Sequence, residues 1–267
     1  LAEICFAAGF GSVRRFNAVF NDTYGRSPKE LRGKSRKYST GSASDINISL
    51  AYRPPYDWKS LLGFLAYRAI PGVELVSGDS YARSISLEGM SGYFIAKFLS
   101  EKNQLAVTIQ FPDTKHLYQI IDRIRSIFDL RADSAQIDKF LKKDKMLRPL
   151  LRKFPGLRVP GSWDGFEVSV RAVLGQQVTV KAASTLASRI AQRYGSEFDC
   201  EIDGINRVFP KPAVLARAKM NHMGIVSQRI AAIKSIAELI EGNELIINCT
   251  ADTTEFVEKI CKVKGIG

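Results

Sequence analysis

Arg158-Val159-Pro160-Gly161-Ser162-Trp163-Asp164-Gly165-Phe166-Glu167-Val168-Ser169-Val170-Arg171-Ala172-Val173-Leu174-Gly175-Gln176-Gln177-Val178-Thr179-Val180 is the stretch on which the fold turns. Pro160 and Gly161 break the chain, and Asp164 then stands where a helix N-cap belongs. Glu167 follows three residues later, the spacing of a capping box, and Trp163 is placed to pack on Val168 as a hydrophobic staple. Phe166, Val170, Val173 and Leu174 recur at helical spacing and predict a buried stripe. Gly175-Gln176-Gln177 then sets two amides where an apolar stripe would continue. By themselves those amides read as a junction between helices.

On the carboxyl side the pattern stays helical. Val178 to Tyr194 reads as a helix stopped by Gly195, residues 196–211 read as irregular, and helices are expected over Pro212 to Lys219 and Ser227 to Glu241. Ile230, Ile233, Ile236 and Ile240 form the inward face of the latter, and Thr253 caps a last helix to about Lys262. Ser134 is read as the cap of a helix to about Lys143, so the chain from there on is expected to be all-helical. It ends in Val263-Lys264-Gly265-Ile266-Gly267, where two glycines allow a tight hairpin whose N–H groups hold a phosphate. By itself a Gly-x-Gly serves equally as a plain helix C-cap.

On the amino side the period changes. Ile46 to Tyr52 alternates as a strand, Pro54-Pro55 ends it, and Asp57 caps a helix over Trp58 to Ile70 with Trp58, Leu61, Leu62, Leu65 and Ala69 inward and Phe64 flanking. Strand-like runs follow at Leu75 to Leu87, Tyr93 to Leu99 and Leu105 to Phe111, then a helix from Lys115 to Phe128. This predicts an α+β layer: an antiparallel sheet backed by two helices. Gly33 to Asp45, rich in Ser and Gly, reads as a flexible linker with a basic start. Leu1 to Leu31 reads as helix, Gly9-Phe10-Gly11 turn, helix. Ser12 caps the second helix, Phe16, Val19 and Phe20 face inward, and Val13, Arg14, Arg15, Asn17 and Ala18 lie near its outer start. In a recognition helix those positions meet base edges, Arg suiting guanine and Asn adenine.

The 267 residues carry a net charge of +12, concentrated as +5 in residues 1–40 and +5 in 132–158, which points to a polyanionic partner. No apolar run reaches the length of a membrane span. Cys5, Cys200, Cys249 and Cys261 are scattered, and His116 and His222 lie far from them, so no metal spacing is present and reduced thiols of a cytoplasmic protein are expected.

The Pro-Gly-x-x-Asp-x-Phe-Glu…Leu-Gly-Gln run, together with Tyr-Arg-Pro-Pro-Tyr-Asp-Trp…Leu-Gly-Phe-Leu-Ala from Tyr52, resembles the DNA-3-methyladenine glycosylase II (AlkA-type) family of the helix-hairpin-helix superfamily. The resemblance runs from about Ile46 to Gly267. It implies a TATA-binding-protein-like amino-terminal sheet domain (46–131) and an all-α helix-hairpin-helix domain (132–267). It also implies a monofunctional, cofactor-free base-excision enzyme that flips an alkylated purine out of duplex DNA and hydrolyses its N-glycosidic bond. Gln177, beside Gln176, matches the position that wedges into the vacated gap, Phe64 one that reaches the base pocket, and Val263 to Gly267 the hairpin that grips the backbone. The family usually has Pro where Lys264 stands, which leaves the rigidity of the hairpin in question. The family's catalytic aspartate falls past Gly267, so no catalytic residue is assigned within the chain, which reads as a piece open at both ends and inactive alone.

Residues 1–32, with Ala-Gly-Phe-Gly-Ser…Arg-Phe-Asn…Tyr-Gly-Arg-Ser-Pro-x-x-Leu-Arg, resemble the second helix-turn-helix of AraC/XylS-type activators. That implies promoter DNA as a second target, in the manner of bacterial Ada-type fusions. The resulting expectation is a monomeric, nucleoid-associated bacterial repair protein. The competing reading is a regulator of the alkylation response whose sheet and helices add only DNA affinity.

Overall fold

The computed structural model describes residues 12–24, 27–30, 45–247 and 252–266. Helix α1 (Val13–Tyr24) is followed by strand β1 (Ile46–Ala51), helix α2 (Trp58–Arg68), and strands β2 (Glu74–Ser77), β3 (Ser80–Leu87), β4 (Met90–Leu99) and β5 (Gln104–Gln110). The strands form one antiparallel sheet in the order β1-β5-β4-β3-β2. The sequence run 75–87, expected as one strand, is two. Gly78, at φ 56°, turns the chain within a two-residue loop, and Ser77 pairs with Ser80.

One apolar face of the sheet is covered by α2 and α3 (Leu117–Ile127). Strands β1, β3, β4 and β5 contribute alternate residues to this core, for example Ile46, Ile48 and Leu50 from β1, and the helices add Trp58, Leu61, Ile120 and Ile124. Asp57 caps α2 by accepting from Ser60 N at 3.0 Å, as expected, but the helix stops at Arg68.

The helical part follows. It comprises α4 (Ser134–Leu141), α5 (Leu147–Lys153), α6 (Gly165–Gly175), α7 (Val180–Tyr194), α8 (Pro212–Arg217), α9 (Ser227–Glu241) and α10 (Thr253–Ile260). A second core, with Val170, Leu174, Ile190, Leu215, Ile233 and Ile236 at its centre, joins them. The two cores exchange residues across the boundary: Ile70 and Val73 belong to the helical cluster, and Trp163 to the sheet cluster.

Several expectations are corrected. The caps of α4 and α10 are Asp133 and Asp252, one residue before Ser134 and Thr253; a carboxylate accepts the first free N–H groups there. Residues 196–211 are not wholly irregular, because β6 (Ser196–Glu197) and β7 (Arg207–Val208) pair as a short ribbon. Helix α8 ends at Arg217, short of Lys219, and Ile230 and Ile240 are only partly buried, Ala232 and Ala237 taking the inner positions of α9. Helix α7 starts at Val180 behind a Thr179 cap, so Val178 is outside it. Val19 is 45% exposed, not inward.

The organising stretch behaves only partly as its pattern suggests. Asp164 caps α6, accepting from Glu167 N at 2.8 Å. The Glu167 carboxylate does not complete the capping box; it turns into a buried ion-pair network. Trp163 does not staple Val168, which is 41% exposed; the indole is buried in the sheet core near Phe94, with the Arg123 guanidinium 4.9 Å from its ring centre. Gly161 is needed where it stands: a Cβ there would lie 2.5 Å from Ser126 O at the end of α3. Arg158, counted in the basic block, is buried and spends its charge inward. It donates to the carbonyls of Asp129 and Ala132, both at 2.8 Å, and lies over Tyr56.

Candidate functional site

Between α6 and α7 the chain makes a sharp turn through Gly175 to Thr179, with Gln177 in the left-handed region at φ 54°. This turn separates two concavities. Gly175, Val178 and Val180 line a cavity of about 420 Å³, while Gln176 and Gln177 line a groove on the other side with Gln228, Arg229, Gly265 and Ile266. Both glutamines are exposed. Gln176 Nε2 donates to Gly265 O at 3.0 Å, and Arg229 donates to Gln176 O, so the turn is fastened to the segment after α10. There Val263 is buried, Lys264 is exposed, and Gly265 adopts φ 96°, a conformation that calls for glycine. Gly267 lies outside the described residues.

The cavity has an aromatic mouth and an ionic wall. Phe64, 39% exposed, lines it from α2, and the Arg68 guanidinium, one helical turn on, sits 3.7 Å from the ring centre. The wall carries a network from both parts of the chain. Arg83 of β3 donates to Glu167 of α6 at 2.6 Å; Arg171, four residues along α6, lies 3.3 Å from Glu167 and pairs with Glu74 of β2. Glu74 also accepts from Tyr81 Oη at 2.6 Å and from Ile70 N at 2.9 Å. Arg83, Glu74, Glu167 and Tyr81 are all buried.

Two guanidiniums matched by two carboxylates leave this wall neutral, which is what permits its burial. Burial alone would raise the Glu167 carboxyl, but Arg83 and then Arg171 outweigh it and hold the group below its usual range. Burial, and then the neighbouring Glu167, push Asp164 upward. Tyr81 is likewise pushed up by burial, so its O–H stays a donor to Glu74.

A family profile described as "AlkA N-terminal domain" matches residues 47–164. A "Probable bifunctional transcriptional activator/DNA repair enzyme AlkA" of Mycobacterium tuberculosis is 30% identical over 99% of this chain, which spans 54% of that protein, about half its length. "DNA-3-methyladenine glycosylase 2" of Escherichia coli is 31% identical over 82% of this chain and 76% of its own length. The chain belongs to the DNA-3-methyladenine glycosylase 2 family. Among solved structures, a 3-methyladenine DNA-glycosylase from Archaeoglobus fulgidus shares the fold, with a TM-score of 0.70 at 24% identity over 83% of this chain and 75% of that one.

In this glycosylase-family chain the candidate residues from the sequence fall into three places. Phe64 is at the cavity; Gln176, Gln177, Gly265 and Ile266 meet in the groove; Ser12 to Asn17 are elsewhere. Helix α1 packs on β1, the sheet edge opposite β2, with Phe20 against the sheet core. Ser12 caps it, accepting from Arg15 N at 3.2 Å; Arg14 and Arg15 are exposed, Val13 is half-buried, and Asn17 is half-buried with its Oδ1 buried. The glycine turn before Ser12 lies outside the described residues.

The wall residues Glu74, Tyr81, Arg83, Glu167 and Arg171 are not legible as a group in the sequence. The one signal was Arg83 inside the strand pattern Ser80-Tyr81-Ala82-Arg83-Ser84-Ile85, where a charge points inward beside apolar neighbours. Its partner is 84 residues away.

Proposed function

We propose that this chain is the DNA-gripping and base-admitting part of a base-excision glycosylase acting on alkylated purines. The observation that carries the reading is the turn Gly175 to Thr179, which has the cavity on one side and the Gln176–Gln177–Gly265 groove on the other. A duplex held at the groove would present a base across this turn, with Gln177 filling the gap and the extruded base entering beside Phe64. The cavity lies within the usual size range for small-molecule sites. Its neutral wall does not repel a cationic base, and the Phe64 face attracts one by about 0.5–2 kcal/mol. Arg68, already on that ring, is the cation such a base competes with.

The two carboxylates that line the cavity, Glu74 and Glu167, are committed to arginines, and nearby Asp164 to its cap. Stabilisation of the sugar cation would then fall to the aspartate that the family resemblance places after this hairpin, with water completing hydrolysis. Val263 to Gly267 would bind a phosphate, Lys264 adding charge. The test is duplex binding by residues 1–267. Gln177→Ala and Lys264→Ala should weaken it, the latter reducing the salt slope by about 0.9; unchanged binding and slope would remove the groove from the account.

A second target is favoured by the exposed Arg14 and Arg15 on a capped helix and by the activator named in the Mycobacterium tuberculosis relative. We propose that residues 1–32 form an AraC-type helix-turn-helix that reads promoter DNA, joined by 33–45 to sheet (46–131) and helical (132–267) domains. No helix among the described residues is long and apolar enough to cross a membrane.

A further inference from the structure

Helices α4 and α5 form a hairpin that stands clear of both cores. Helix α5 buries no residue, and α4 buries only Ser134 and Asp138 at its base. Leu141 and Leu151 are half-buried, yet six large apolar side chains remain in solvent: Ile137 (45% exposed), Phe140 (69%), Met146 (82%), Leu147 (38%), Leu150 (55%) and Phe154 (39%). Leu147, Leu150 and Phe154 share one face of α5 by their spacing, and so many exposed apolar side chains on one small hairpin mark an interaction surface. Seven lysines and arginines lie between positions 139 and 153. Among the described residues none of these seven takes part in an ion pair. Lys143 and Lys153 lie over the rings of Phe140 and Phe154. The two acids of the hairpin are occupied: Asp138 is buried and accepts from Gly156 N, and Asp144 accepts from the N–H groups of Met146 and Leu147.

We propose that this hairpin docks an amphipathic segment of another protein, its apolar side chains flanked by carboxylates. Each alternative occupant satisfies half of the surface. DNA phosphates would neutralise the cations but leave Phe140, Met146 and Leu150 in water. A second copy would cover the apolar side chains but set like charges against each other. The chain's own stretch 31–44 carries four basic residues and no acidic one, the wrong sign for this rim. A helix presenting apolar residues at i, i+3, i+4 and i+7 with glutamates around them meets both halves. From Phe154 the chain runs through the anchored Arg158 into Pro160 to Trp163, which line the cavity, so a docked partner would be held beside the base-admitting site.

The test uses residues 1–267 and a fluorescein-labelled helical peptide of ~20 residues, with Leu and Phe at those positions and Glu elsewhere, read by anisotropy. The expected result is saturable binding that weakens about ten-fold or more in Phe140→Ser/Leu150→Ser and in Lys142→Glu/Lys145→Glu. Both pairs are exposed, so an unchanged thermal midpoint confirms that the fold survives. A scrambled peptide of the same composition should bind at least about ten-fold more weakly. Equal binding of the scramble, or indifference to Phe140→Ser/Leu150→Ser, would overturn the proposal in favour of simple polyanion attraction. Loss of duplex DNA affinity in that apolar variant would reassign the face to DNA, and concentration-dependent dimerisation that it abolishes would reassign it to a second copy.

Discussion

Replacing Arg83 by Met tests the claim that a buried ionic network joins the sheet and helical parts at the cavity wall. Arg83 is 2% exposed and donates to Glu167 at 2.6 Å and to Ser84 O at 3.1 Å, with Glu74 at 3.7 Å. Its loss leaves Glu74 and Glu167 sharing Arg171 alone, one uncompensated negative charge in a water-poor site. Removing one partner of such a pair costs about 3–5 kcal/mol, a large part of the 5–15 kcal/mol typical of a whole domain. At roughly 2–4 °C per kcal/mol for a chain of this size, the midpoint should fall by about 6–20 °C. The diagnostic experiment is a double-mutant cycle with Glu167→Leu, followed by urea unfolding. The double variant restores neutrality, since Arg171 then faces Glu74 only, and should show a coupling of about 2–3 kcal/mol. Additivity within about 0.5 kcal/mol would mean that the network is not the unit described.

Three further outcomes follow from individual side chains. Gln177→Ala should leave the thermal midpoint almost unchanged, because the residue is exposed in a turn, while lowering base excision by the native protein; unfolding with excision spared in the folded fraction would make it a structural amide. Arg14→Ala should cost roughly 1–3 kcal/mol on a preferred promoter site and little on random DNA, by competition binding; equal losses on both would remove α1 as a reader. The depressed Glu167 carboxyl contributes stability that is full above its ordinary value of 4.5 and is lost as pH falls through its lower folded value. Wild type should therefore lose stability below that pH more steeply than Glu167→Gln, and parallel pH profiles would contradict the assignment.

What the sequence discloses here is local order, and what it conceals is pairing at a distance. Asp57 and Asp164 were legible as caps because a capping carboxylate and the N–H it accepts lie three residues apart. Asp133 and Asp252 were missed by one position because a hydroxyl residue follows each, and Asp-Ser and Asp-Thr offer two acceptors in succession. Glu167 read as half of a capping box because its tertiary partner on β3 leaves no trace nearby. Gln176 and Gln177 stand out in the sequence as amides interrupting a buried stripe. Their exposure and their meeting with Gly265, 89 residues on from Gln176, required the helices to be packed. The exposed hairpin face was hidden for the opposite reason: Phe140, Leu147 and Leu150 carry the apolar pattern of a core that never closes over them.

The central claim, that the cavity beside Phe64 receives a cationic purine turned out of DNA, is met most directly by base release. Duplex DNA treated with a methylating agent is incubated with the native protein, extended through the family's aspartate, and with its Phe64→Ala variant, and the freed bases are separated and counted under single-turnover conditions. The native protein should release 3-methyladenine far ahead of normal purines. Losing one aromatic face should slow that release by about 2- to 30-fold, the equivalent of 0.5–2 kcal/mol, with little change in duplex binding. Undiminished 3-methyladenine release by Phe64→Ala, or no preference for methylated over normal purines in the native protein, would contradict it.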